Sequence, residues 1–138
     1  MSDELPFRIL PELTDRNRHF WTGGEHGELR FLQCDDCAYL IHPPVPICPR
    51  CHSKAQHAEV VSGRATLHTY TVNHQPWMPG PELPYVVAIV EIPEQAGLRL
   101  TTNIVNCPIA EIEIGMGMQV TFEHHDDVWI PLFEPERS

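Results

Sequence analysis

Cationic residues are scarce in this chain. Nine Lys and Arg stand against nineteen Asp and Glu, for a formal net charge of -10. Proteins that grip nucleic acid gain affinity by displacing phosphate counterions with Lys and Arg. The few cations here are scattered, so non-specific nucleic-acid binding is not expected. Long apolar runs are also missing. The longest unbroken one goes from Tyr85 to Val90, far short of the about 20 residues a membrane helix needs. Met1-Ser2-Asp3-Glu4 lacks the basic-then-apolar layout of a secretory signal. The expected compartment is therefore the cytoplasm, where thiols stay reduced. There is no Gly-rich phosphate loop, no G-x-S-x-G elbow and no spaced carboxylate pair with a partner.

What is present is a pair of cysteine pairs. Cys34-Asp35-Asp36-Cys37 is followed after ten residues by Cys48-Pro49-Arg50-Cys51. Two residues between cysteines let the backbone curl so that both sulfurs point to one centre. Two such knuckles supply the four thiolates that tetrahedral zinc prefers, at about 2.3 Å. Disulfides are disfavoured in a reducing compartment, and a single redox C-x-x-C leaves the other pair unexplained. One structural zinc is expected, with iron in a rubredoxin-like centre as the rival that spacing cannot separate from it. A closed four-cysteine site has no open position for water, so it builds structure and does no chemistry.

The fold class expected is mainly β: a short N-terminal helix, a rubredoxin-like ribbon, then a five-stranded OB-fold barrel. The domain boundaries expected are 1–27, 28–58 and 59–138. The helix is read over Pro11 to Gly24, capped by Thr14 or Asp15 and ended by Gly23-Gly24. Leu13, Phe20 and Trp21 share one face, which must dock either on this chain's own barrel or on a partner, since so short a helix is marginal alone. Leu29 to Leu32 reads as a strand entering the first knuckle, and the prolines between Ile41 and Pro46 read as a stiff return to the second. Further strands are read at Ala65 to His74, Tyr85 to Ile92, Leu98 to Ile104, Val120 to Glu123 and Val128 to Leu132. Tyr85 to Ile92, apolar throughout but for Glu91, suggests a strand covered on both faces. Asp126-Asp127 supplies the turn before the last strand. Five strands in about 75 residues fit a small closed barrel.

No catalytic constellation emerges. Cys107 lies among apolar and acidic neighbours and lacks the electropositive setting a nucleophile needs. His124-His125-Asp126-Asp127 falls at a strand-turn-strand junction, where polar residues are the norm. His68 and His74 read as strand-surface residues, and His52 as a bystander beside Cys51. The proline-rich loop Gln75 to Pro84 exposes Trp77 and Met78, which either anchor the loop or meet a partner.

The ordered set of motifs resembles the zinc-ribbon plus OB-fold acyl-CoA-associated proteins, catalogued as domain of unknown function thirty-five. The resemblance rests on Phe20-Trp21 with Gly23-Gly24, Gly27-Glu28-Leu29, both cysteine pairs, Pro43-Pro44 and Ser53. It continues through Ser62-Gly63-Arg64-Ala65-Thr66-Leu67, Tyr70-Thr71-Val72, Pro84 to Ala88, Gly115-Met116 and Pro131-Leu132-Phe133. Ala38 departs from the Gly usual after the first knuckle.

The resemblance implies an accessory subunit with no activity of its own, bound in a hetero-oligomer to a thiolase-fold enzyme (a thiolase, acyltransferase or steroid side-chain aldolase) or to a MaoC-like hydratase. It implies that the chain helps shape the partner's acyl-CoA site. On that footing Arg50, Lys54 and Arg64 are candidates for the CoA phosphates. Phe20, Trp21, Trp77 and Met78 are candidates for the partner surface. Two other functions compete: a single-stranded nucleic-acid binder, and a hydrolase acting through Cys107 or His124 to Asp127.

Overall fold

The computed structural model describes residues 10–75 and 83–136. The first regular element is α1, Arg18–Thr22, followed by a 3-10 turn over Gly23–His26. This is much shorter than the helix expected from Pro11. Thr14 and Asn17 bond reciprocally: Asn17 N–H donates to Thr14 Oγ1 at 3.2 Å and Thr14 N–H to Asn17 Oδ1 at 2.7 Å. That reciprocal pair is a capping arrangement that opens one turn ahead of α1, with Arg18 N–H donating to the Thr14 carbonyl at 2.9 Å.

Gly23-Gly24 does not simply end the helix. A Cβ on Gly24 would lie 2.4 Å from Trp129 Cβ and 2.6 Å from Phe122 Cδ1, and one on Gly23 would lie 2.3 Å from the Glu28 carbonyl oxygen. Gly24 lets the chain press directly onto the barrel, and Gly23 lets it lie against the backbone leading into the ribbon. The helix accordingly docks on its own molecule: Phe20 is 5% exposed and belongs to the main core.

The ribbon is a three-stranded antiparallel sheet. Its strands are β1 (Leu29–Cys34), β2 (Leu40–Ile41) and β3 (Gln56–Val61), in the order β2-β1-β3. The strand β3 was not foreseen, and it crosses the boundary expected between residues 58 and 59. The two faces of β1 serve two cores. Leu29 and Phe31 enter the main core with the barrel, whereas Leu32 and Cys34 pack with Ile41 and Cys48 around the sulfurs. A two-residue period is all this requires.

The barrel follows as β4 (Arg64–Asn73), β5 (Tyr85–Glu91), β6 (Arg99–Asn103), β7 (Gly117–His125) and β8 (Val128–Pro135), in the order β6-β5-β4-β7-β8. An isolated parallel bridge between Ile104 and Phe133, with Val105 N–H donating to the Phe133 carbonyl at 2.9 Å, closes the sheet on itself. This is the OB-fold expected from the strand pattern. Each expected strand is present. On β5 only alternate residues are buried, at Val86, Ala88 and Val90. The other face is half-covered, and Val87 on it borders a cavity.

One side chain stitches ribbon to barrel. Gln95, in the turn between β5 and β6, accepts from Leu40 N–H and donates to the Leu40 carbonyl, both at 2.8 Å.

Candidate functional site

The two knuckles have the same backbone construction. Ala38 N–H donates to the Cys34 carbonyl at 3.0 Å and Cys34 N–H to the Tyr39 carbonyl at 2.9 Å. In the second knuckle His52 N–H donates to the Cys48 carbonyl at 2.9 Å and Cys48 N–H to the Ser53 carbonyl at 2.8 Å. Each turn is completed by a left-handed residue, Ala38 at φ 64° and His52 at φ 66°. His52 therefore has a backbone role beside its ligand. The Ser53 hydroxyl donates to the Asp36 carboxylate, and His57 pairs with Asp35. These contacts tie the second knuckle and β3 to the first.

The four sulfurs converge, all within 4.8 Å of one another. Cys34 and Cys51 are 3.4 Å apart and Cys37 and Cys48 are 3.6 Å apart. A disulfide spans about 2.05 Å, so these are not bonded pairs. The edges instead approach the about 3.8 Å that follows from four sulfurs at about 2.3 Å around a tetrahedral ion.

Electrostatics agree with a cation site. Burial opposes ionisation of Cys48, but the N–H groups of Cys51 and Arg50 outweigh it and hold the thiol at about 7. The Ser53 N–H favours a Cys51 thiolate, yet the Cys34 sulfur, burial and the remaining sulfurs push that thiol up to about 12. A cation bound at the centre of the thiols would deprotonate all four. The donor set fits a structural metal.

Among the described residues no other set of three or more His, Cys, Asp or Glu ligands converges in this way. His124 is stacked on Trp129 with ring centroids 4.1 Å apart, and its Nε2 meets the Asp126 carbonyl at 2.7 Å. His125 is bonded to Glu123 at 2.6 Å. This polar cluster closes the β7-β8 hairpin. The Cys107 thiol is pushed up by burial and by Glu111, away from the reactive range. His68 and His74 are exposed.

Arg50 and Lys54 lie exposed in and just after the second knuckle, and Arg64 pairs with Glu136 at 3.4 Å at the start of β4. Phe20 is inside the core, and Trp21 packs half-buried against it. Trp77 and Met78 lie outside the described residues.

A second feature was not singled out from sequence. A cavity of about 700 Å³ opens where the three parts of the chain meet. Its walls include Phe20 and Trp21 from α1, Pro43 and Pro44 from the ribbon, and Leu100 and Leu132 from the barrel. Arg99 borders it, paired with Glu91 at 3.3 Å. His42 also lines it. That ring lies 4.8 Å from Phe20 and 4.9 Å from Phe31, and its Nδ1 is buried with no hydrogen-bond partner among the described residues. Burial, then the neighbouring His19, pushes His42 down to about 4, so the ring is neutral at pH 7. These residues share no motif, and only the folded contact of three modules assembles them.

A closed four-thiol ribbon joined to an OB barrel defines a two-part module whose metal site is structural. The chain belongs to the ChsH2-type DUF35 family. The family profile described as the ChsH2 rubredoxin-like zinc ribbon domain matches residues 21–55. The profile described as the ChsH2 C-terminal OB-fold domain matches residues 58–123. A DUF35 domain-containing scaffold protein of Methanothermobacter thermautotrophicus is 38% identical over 92 residues, 65% of this chain and 68% of that protein.

Two longer relatives share similar identity. One is a probable enoyl-CoA hydratase alpha subunit of Thermomonospora curvata, 37% identical over 97% of this chain and 42% of its own length. The other is the 3-oxo-4,17-pregnadiene-20-carboxyl-CoA hydratase alpha subunit of Mycobacterium tuberculosis, 34% identical over 93% of this chain and 40% of its own length. This chain thus spans about two fifths of each hydratase subunit. Among solved structures, a chain of the Ltp2-ChsH2(DUF35) aldolase matches with a TM-score of 0.81 and 34% identity, covering 91% of this chain and 98% of that one.

Proposed function

We propose that this chain is a non-catalytic accessory subunit that binds and stabilises a thiolase-fold acyl-CoA enzyme and helps form its acyl-CoA site. The observation that carries this reading is the near-complete likeness to one chain of an aldolase assembly, at 34% identity over 98% of that chain. Support also comes from the partial match to hydratase alpha subunits, which place a stretch of this kind beside acyl-CoA chemistry in a longer protein. Cys34, Cys37, Cys48 and Cys51 hold one zinc ion that fixes the ribbon. Binding of such an ion contributes on the order of 10 kcal/mol to folding. Arg50 and Lys54, exposed on the second knuckle, meet the CoA phosphates; Arg64, offset by Glu136, is the weaker candidate. The partner covers the face around Trp21, together with the Trp77-Met78 loop.

The test is affinity capture of the tagged chain from its native host, with mass spectrometry and elemental analysis of the product. A thiolase-fold enzyme in fixed stoichiometry and one zinc per chain are expected. Recovery of free monomer alone, or of RNA alone, overturns the accessory role; a folded product carrying iron or no metal overturns the zinc assignment.

A further inference from the structure

An open sheet edge is a template for another strand, and proteins blunt such edges with Lys, Pro, bulges or a covering segment. The two margins of the ribbon sheet differ in this respect. At the β2 margin the Gln95 amide takes up both outward main-chain groups of Leu40. The β3 margin has no such cover among the described residues. Gln56 to Val60 contains neither Lys nor Pro. Its register on β1 runs without a bulge from Cys34↔Gln56 to Leu29↔Val61.

The direction of the free groups on β3 follows from Cys34. Cys34 N–H donates to the Tyr39 carbonyl and the Cys34 carbonyl accepts from Ala38 N–H, both on the side away from β3. Gln56, opposite Cys34, therefore occupies a non-hydrogen-bonded position of the ladder. By alternation His57, Glu59 and Val61 bond to β1, whereas Gln56, Ala58 and Val60 aim their N–H and C=O groups outward. Val60 is also 48% exposed, high for an apolar residue in a strand.

We infer that a second copy of this chain pairs along β3, antiparallel and in the register centred on Ala58. A two-fold axis then sets Ala58 opposite Ala58 of the second copy and Gln56 opposite its Val60, and about six main-chain hydrogen bonds form. The register is self-complementary, as a closed two-fold contact requires. His57 is the one base on the strand and Glu59 the one acid. Each lies one residue from the axis, so each meets the other across it, at the closely spaced positions. A parallel in-register neighbour instead sets His57 beside His57 and Glu59 beside Glu59, and like charges repel. The ionisable side chains thus select a pair over an open stack, and the Gln95 cover on the far margin of each copy ends growth there. With one strand from each copy the contact is small, hence reversible. The inference is independent of the accessory role, since no residue of β3 is assigned to the enzyme or to CoA.

Sedimentation velocity of the full zinc-loaded chain, from micromolar to millimolar concentration, is the first test. A shift from monomer to dimer, and no further, is expected. Ala58→Pro removes an outward N–H from each copy and spares the bonds to β1, a substitution that edge strands accept. It weakens association at least about tenfold while zinc content stays at the parent value.

Cross-linking tests the register. In a Cys107→Ser background, Ala58→Cys brings two thiols together across the axis, with Cα atoms about 5.5 Å apart, within the span of a disulfide. Mild oxidation gives a covalent dimer. Val60→Cys lies on the same margin, but its two copies stand about 13 Å apart and link far less. A monomer at every concentration overturns the inference. So does unchanged association of Ala58→Pro, growth beyond two copies, or Val60→Cys linking as readily as Ala58→Cys.

Discussion

At the scale of single residues, two positions have measurable consequences. Ala38 holds a left-handed conformation at φ 64°, which costs an L-residue roughly 1–2 kcal/mol. Glycine relieves that strain but adds freedom to the unfolded chain. Ala38→Gly should therefore stabilise the zinc-loaded protein by about 0.5–1 kcal/mol, read as a higher Tm. His42 gives a pH signature. Its folded value of about 4 lies below the ordinary 6.5, so between those values the unfolded chain binds more protons. Stability should fall as pH drops from about 6.5 to about 4, by up to about 3 kcal/mol, and level off below. Urea melts of the parent and His42→Phe across this range isolate the effect, since other titrating groups are common to both. His57, raised by its bond to Asp35, works with the opposite sign. Its contribution is present at low pH and lost as pH rises through its folded value. The cysteines were legible from spacing alone. His42 and Arg99 were not, because their importance comes from what folds against them.

At the scale of elements, the strands were legible wherever burial imposed alternation, as at Leu98, Leu100, Thr102 and Ile104. The strand β3 escaped because it has almost no buried side: Gln56, His57, Ala58, Glu59 and Val60 are exposed or half-exposed. It is held by backbone pairing to β1, from Leu29↔Val61 to Cys34↔Gln56, which leaves no mark in hydrophobic period. The helix was overextended because Leu13, Phe20 and Trp21 fit a helical face, while the reciprocal Thr14-Asn17 bonds cap the chain at Thr14 and leave Pro11 to Leu13 outside it. The glycines after it were read as the helix end, and Gly23 is the C-cap of α1; the close approach to the barrel at Gly24 was not legible. Gly24→Ala pushes a methyl group into Trp129 and Phe122, and overpacking of this kind costs about 1–3 kcal/mol. The expected result is a lower urea midpoint with altered near-ultraviolet circular dichroism from the displaced tryptophan; an unchanged midpoint would refute the close-contact account.

At the scale of the molecule, the ribbon is not a detachable module. With β1 contributing Phe31 to the barrel core and Cys34 to the sulfur cluster, loss of one core weakens the other. Heating of the zinc-loaded chain should give one calorimetric transition. Chelation, or Cys48→Ser, should lower the temperature of that whole transition rather than abolish a separate early one. Two resolved transitions, with the barrel melting unchanged after zinc removal, would show the two cores to be independent. The overall architecture was legible in the sequence because cysteine spacing and strand period are local signals. The junction between the parts was not, since its contacts join residues as distant as Leu40 and Gln95.

That last contact also decides how the ribbon meets the outside. The Gln95 amide imitates a neighbouring strand, consuming the outward donor and acceptor of Leu40. Further chains are thereby denied a template for growth along β2. The opposite margin, β3, pairs with no further strand among the described residues and carries His57 and Glu59. Runaway stacking of ribbons is blocked on one flank by a single uncharged side chain and discouraged on the other by ionisable ones.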